Sequence, residues 1–148
     1  MAWNTLVYSC GHTEEVQLYG KHTGREATAE AASHRLCAAC RAEQAKKEAI
    51  ENGLPVLEGS EKQIGWAAQI REKILENANV AKSRADGLLT RLDAGDHPPA
   101  TPEKIEASRN ELNFNLAALA KLRSIKKASW WIDHRGMAID MIILALRG

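Results

Sequence analysis

Strict alternation of apolar and polar positions opens the chain. Between Trp3 and Gly20, Leu6 and Tyr8 alternate with Thr5, Val7 and Ser9, and further on Val16 and Leu18 alternate with Gln17 and Tyr19. A period of two is that of a half-buried strand, and two such runs separated by Cys10-Gly11-His12 predict a β-hairpin. Lys21 to Gly24 reads as a loop. The alternation then gives way to alanine-rich sequence. Residues 25–36 predict a short helix, and Arg41 to Asn52 predicts a second, charged and without a strong apolar stripe, stopped by Gly53.

Beyond Gly53 the helical period dominates. Ser60 with Gln63 three positions later makes a capping box, with Leu57 upstream as an apolar anchor. Trp66, Ile70 and Ile74 recur at four-residue spacing, and the helix is expected to run through Leu88, Leu89 and Leu92 to Gly95. Asp96-His97-Pro98-Pro99-Ala100 is a rigid connector, after which Thr101-Pro102 supplies an N-cap and a first-turn proline. Ile105, Leu112, Leu116, Leu119, Leu122 and Ile125 then form one apolar stripe, so two long helices should pair as an antiparallel hairpin. Ser129 to Arg135 is closed by Gly136. Met137 to Leu146 is apolar on nearly every face except at Asp140, the pattern of a helix buried in its own core or against another chain, so a homodimer through this C-terminal helix is one expectation. The fold class expected is mainly α with a small zinc-bound β-hairpin, divided into a zinc-knuckle module (residues 1–53) and a helical domain (residues 54–148).

Composition adjusts this picture only locally. Hydrophobic residues at 45% and charged residues at 26% are ordinary for a soluble globular chain. A formal net charge of +1 argues against attraction of nucleic acid by the whole surface. Between Lys121 and Arg135, however, five basic residues stand against one acidic residue. Lys121, Arg123, Lys126, Lys127 and Arg135 are positioned to meet phosphates, and Trp130 or Trp131 to stack on a base. The competing expectation is that both tryptophans pack on the core and that Asp133 and Arg135 anchor a helix end. Adjacent residues on a helix point about 100° apart, so at most one of the two tryptophans should face fully inward. The apolar runs are far shorter than a membrane span, and the first residues lack the basic and apolar regions of a signal peptide, which places the protein in the cytoplasm as an expectation.

The candidate chemistry lies in the two knuckles. All three cysteines fall in Cys10-Gly11-His12 and Cys37-Ala38-Ala39-Cys40, and an odd number of cysteines suits metal ligation better than disulfides. Cys10, His12, Cys37 and Cys40 are the complement of a closed, structural Zn²⁺ site. His34, three residues before Cys37, and His22 are alternative imidazoles; His12 is favoured because it completes a knuckle with Cys10. The same residues also resemble the His-x-Glu and Cys-x-x-Cys signature of zinc-dependent deaminases, which would make His12, Cys37 and Cys40 ligands and Glu14 the proton shuttle. Leu36 stands where that signature has proline, few residues precede His12, and Cys10 offers a fourth ligand where catalysis needs an open position. No Walker loop, dinucleotide-binding glycine motif or Gly-x-Ser-x-Gly elbow is present, so the chain is expected not to be an enzyme.

Leu54-Pro-Val-Leu-Glu-Gly-Ser-Glu-Lys-Gln-Ile-Gly-Trp-Ala67, with Trp131-Ile-Asp-His-Arg135 later, resembles a group of small phage and mobile-element proteins. These carry an LPxLxGSxKQxxWAxxIR stretch, a WIDxR motif and often an N-terminal zinc-knuckle pair. The function expected is a non-enzymatic binding protein that occupies a nucleic acid, a host protein or a protein–nucleic-acid complex, such as an anti-defence or anti-CRISPR inhibitor; the resemblance itself implies a phage or mobile-element accessory protein. It brings no activity with it. Ser60, Gln63, Leu54, Leu57, Trp66 and Ile70 have local structural reasons; Lys62 and Arg71 have none that the sequence shows.

Overall fold

The computed structural model describes residues 2–147. Strands β1 (Ala2–Val7) and β2 (Thr13–Leu18) pair antiparallel in the register Ala2↔Leu18 to Val7↔Thr13. Their alternation sends Leu6 inward and Trp3, Thr5 and Val7 outward. Helices follow in the order α1 (His22–Ser33), α2 (Ala38–Glu51), α3 (Glu61–Asp93), α4 (Pro102–Leu122), α5 (Ala128–Asp133) and α6 (Ile139–Arg147). The chain is mainly helical with one small hairpin, as its patterning predicts.

The boundaries differ where short-range hydrogen bonds override the pattern. α1 begins at His22 instead of after a loop, because the amides of Gly24 and Arg25 both donate to the carbonyl of Lys21. It stops at Ser33, short of the knuckle, and the amide of Ser9 donates to the carbonyl of Arg35 at 2.9 Å, drawing the intervening chain alongside the hairpin turn. α2 begins at Ala38 because Cys37 is its N-cap, its sulfur accepting from the Cys40 amide.

Two apolar clusters result. The smaller joins Leu6, Tyr8 and Ala32, with Val16, Leu18, Ala29, Cys10 and Cys37 against it. The larger contains Ala42, Ala45, Leu57, Ile74, Leu122, Trp131 and Ile142. α2, which the sequence groups with the zinc module, therefore packs its alanines into the larger core. The boundary between the two cores falls at the second knuckle, not at Gly53.

α3 is the spine of the larger core. Its capping box is present, with the Gln63 amide donating to Ser60 Oγ at 3.3 Å and the Ser60 amide to Gln63 Oε1 at 3.0 Å. The buried stripe includes Ile64, Ala67, Arg71, Ile74 and Ala78; of the expected Trp66–Ile70–Ile74 row, Ile74 is buried and Ile70 half-covered against the core, and only Trp66 falls outside. Small residues occupy the centre because α2 crosses there. At Gly65 a Cβ would lie 2.7 Å from Cδ of Arg41, so the glycine admits the arginine stem. Trp66 is left 46% exposed. On α4 only Ala118, Leu119 and Leu122 are buried; Ile105, Leu112 and Leu116 are half-covered. α6 divides in two, with Ile142 and Ile143 buried against the core and Met141 and Leu144 outside. No helix of the described residues is long and apolar enough to cross a membrane.

Candidate metal centre and basic surface

The hairpin turn and the start of α2 bring the four expected ligands together. Gly11, at φ +84°, lets the chain reverse between Cys10 and His12, and its amide donates to the carbonyl of Tyr8 at 2.9 Å. The donor atoms of Cys10, His12, Cys37 and Cys40 all lie within 4.8 Å of one another. Nδ1 of His12 is 3.3 Å from Sγ of Cys40 and 3.5 Å from Sγ of Cys37. A tetrahedral Zn²⁺ with ordinary bond lengths has N···S edges of about 3.6 Å and S···S edges of about 3.8 Å, so the set fits such an ion after a contraction of about 1 Å at its widest. His22 pairs instead with Glu26 at 3.5 Å, and His34 caps the end of α1. The geometry selects His12 among the three imidazoles.

Backbone amides complete the arrangement. The Cys37 amide donates to Sγ of Cys10 and the Cys40 amide to Sγ of Cys37, each at 3.5 Å. Such contacts stabilise thiolate, as does the N-terminus of α2 beneath Cys37. The amide of Cys37, followed by the backbone of His12, brings the Cys10 thiol down to about 6. Cys40 is pushed up to about 11, chiefly by its hydrogen bond with Cys37, then by burial and by the neighbouring Cys10. The protein alone therefore holds one thiolate comfortably and opposes a further one. A divalent cation removes that opposition by neutralising the sulfurs together.

Glu14 does not reach toward this cluster as a free carboxylate. It accepts the hydroxyl of buried Tyr8 at 2.7 Å, a bond that raises the tyrosine's pKa and secures the turn end of the hairpin. A shallow cleft of about 490 Å³ beside His12 is bounded by Tyr8, Glu14 and Cys37 on one side and by Ser60, Glu61 and Lys62 of the α3 N-terminus on the other.

The basic segment is spread over several structural tasks. Lys121 Nζ donates to the carbonyl of Leu146 at 3.2 Å, fastening the end of α6. Arg123 lies on the wall of a groove between α2 and α3. Lys126 and Lys127 have exposed side chains, but their backbone pairs with the 54–59 loop: the Glu58 amide donates to Lys126 at 2.8 Å and the Ala128 amide donates to Glu58 at 2.9 Å. Trp131 is wholly buried, its Nε1–H donating to Ile125 at 3.2 Å. Trp130 is half-exposed, edge-on to Trp131 and stacked on His134 at 4.0 Å. The Arg135 guanidinium lies over the Trp66 ring at 5.0 Å and also donates to the carbonyl of Ile132. One tryptophan faces fully inward, as the helical geometry requires.

Three contacts go beyond what the sequence patterning predicts. Arg71, only 4% exposed, donates to the carbonyl of Pro55 at 2.7 Å and holds the loop before α3. Burial lowers its pKa, although a guanidinium stays charged. Its place in the row Ile64–Ala67–Arg71–Ile74 was the available signal. The Arg135–Trp66 pair and the Glu58–Lys127 bridge join stretches far apart in sequence, which periodicity does not register. The latter two tie the 54–71 stretch to the segment from Lys127 to Arg135. No protein-family model matches the chain, and no curated protein or solved structure matches it either.

Proposed function

We propose that the chain is a non-enzymatic, zinc-stabilised binding protein of phage or mobile-element type that occupies a protein–nucleic-acid complex of the host. The observation that carries this reading is the closed donor set: three sulfurs and one imidazole within 4.8 Å leave a tetrahedral ion no position for water or substrate. The ion is then a staple. It fixes the hairpin and α1 beside α2, and contact with the partner falls to the rest of the surface.

The best-furnished face for that contact is the one around α5. Lys126 and Lys127 offer exposed ammonium groups, Arg135 lies over Trp66, and Trp130 presents a ring stacked on His134. Ammonium groups meet phosphates, and half-exposed aromatic rings add stacking that tolerates any base. Near-neutral net charge suits a partner that is part protein.

The test is binding to single- and double-stranded DNA and RNA over a salt series, with Lys126→Ala/Lys127→Ala beside the parent chain. Loss of about two phosphate contacts should weaken binding by roughly tenfold or more at low salt and flatten the salt slope by about two. Binding unchanged by the double substitution would remove this face from the proposal. The alternative reading, a deaminase-like enzyme using His12, Cys37, Cys40 and Glu14, rests on the His-x-Glu and Cys-x-x-Cys spacing and on the cleft beside His12. It requires Glu14→Gln to abolish a nucleobase deamination that the parent chain performs. The binding reading requires that no such activity exist, and that Glu14→Gln lower stability through Tyr8.

A further inference from the structure

Arg71 is the only charged residue buried among those described, and nothing in the chain offsets its charge. It forms no ion pair among the described residues. Burial lowers its pKa with no carboxylate acting against it, whereas Arg109 and Arg147, each bonded to a carboxylate, are raised. A buried charge is costly unless a hydrogen-bonded partner of opposite sign satisfies it. The guanidinium carries five N–H donors, of which the bond from Nη1 to the Pro55 carbonyl uses one. Nε and Nη2 have no partner among the described residues, yet they are not sealed from solvent. The one sealed side-chain nitrogen left without a partner is Nε of Arg25.

Those spare donors open on the groove between α2 and α3, a cavity of about 520 Å³ that Arg71 helps to line. Small-molecule sites span about 300–1,000 Å³. A second guanidinium, that of exposed Arg123 at the end of α4, stands on the same lining and has no ion pair among the described residues. Ala45, Ala49, Ala68 and Leu75 give the groove an apolar strip. Glu72 and Glu76 line it too, and neither is paired with an arginine. Their charge opposes a dianion such as phosphate more than a single negative charge. The planar fork of a guanidinium matches the edge of a carboxylate through two parallel hydrogen bonds.

We propose that the α2–α3 groove binds a small organic carboxylate. Nε and Nη2 of Arg71 grip its head, Arg123 adds a second positive charge, and the apolar body lies along Ala45, Ala49, Ala68 and Leu75. The ligand supplies the counter-charge that the chain withholds from Arg71.

The test is a titration of the full chain, prepared with zinc, followed by nuclear magnetic resonance of arginine Nε–H and backbone amide groups. Hexanoate is the probe, with sodium chloride at matched ionic strength and inorganic phosphate beside it. Hexanoate should give a saturable shift at Arg71 Nε–H and at the amides of residues 68–76, and chloride should not. Arg123→Gln, on an exposed side chain, should keep the parent's circular dichroism and weaken hexanoate binding by about tenfold. Arg71→Lys keeps the charge without the fork and should lose saturation; if it also loses helical signal, Arg123→Gln alone decides. Shifts that grow linearly, or that chloride reproduces, overturn the proposal. So does hexanoate binding indifferent to Arg123→Gln, or phosphate that saturates at a lower concentration than hexanoate. None of these outcomes depends on whether the α5 face binds nucleic acid.

Discussion

At the residue scale, the cluster of sulfurs governs what can be measured. With metal removed, Cys10 has a pKa of about 6 against about 11 for Cys40. The Cys10 pKa lies below that of an unfolded thiol, so its thiolate favours the fold above the unfolded value, and that contribution is lost as pH falls through about 6. The Cys40 pKa lies above it, so the neutral thiol favours the fold below the unfolded value, and that contribution is lost as pH rises through about 11. Between these limits Cys10 should alkylate before Cys40 in the metal-free protein, as mass spectrometry of time-quenched samples will show. Equal rates would mean that the amides of Cys37 and His12 do not hold that thiolate. Cys10→Ser removes a ligand and should abolish stoichiometric zinc in native mass spectra, with a loss on the order of several kcal/mol to the hairpin module.

Arg71 is the other residue whose role follows from its surroundings. Arg71→Ala leaves the Pro55 carbonyl without its charged donor and opens a cavity beside Ile74, for an expected loss of about 2–4 kcal/mol in urea denaturation. A change under about 0.5 kcal/mol would show that the loop before α3 is held by Leu57 and the Glu58–Lys127 bridge alone.

At the scale of elements, the crossing of α2 over α3 sets the sign of a simple substitution. Gly65→Ala gains about 1 kcal/mol of helix propensity in isolation. Here the new methyl meets Cδ of Arg41 at 2.7 Å and must displace its stem, so the net effect should be destabilising by roughly 1–2 kcal/mol. A raised urea midpoint would show that Arg41 moves aside at little cost. The hairpin module behaves differently from the helices around it. Its apolar cluster is small and separate from the larger core, so under the zinc reading proposed above its order should depend on the metal. Chelation should release amide protection in β1, β2 and α1 while α3 to α6 keep theirs, a pattern that hydrogen exchange resolves.

For the whole molecule, stability rests on the larger core, in which Trp131 of α5 is wholly buried, with α5 packed against α3. Trp131→Ala should cost about 3–5 kcal/mol and melt the helical signal as one unit, whether or not zinc is bound. Local pattern determined a good deal of this protein. Alternation gave the hairpin, Ser60 with Gln63 gave the start of α3, Thr101-Pro102 gave α4, and cysteine spacing gave the ligands, because each is decided by neighbours within a few residues. Spacing already favoured His12 among the three histidines, and the tertiary structure adds the reason: the hairpin turn brings it to the sulfurs, while His22 pairs with Glu26 and His34 ends α1. Tertiary structure alone decided that Arg71 is buried and Trp66 exposed, reversing what their polarity suggests, because α2 crosses where small residues let it approach. The basic segment shows the same division. Its charge is visible in the sequence, but Lys121 is spent on α6 and Arg135 on Trp66, partners set by the path of the chain through space.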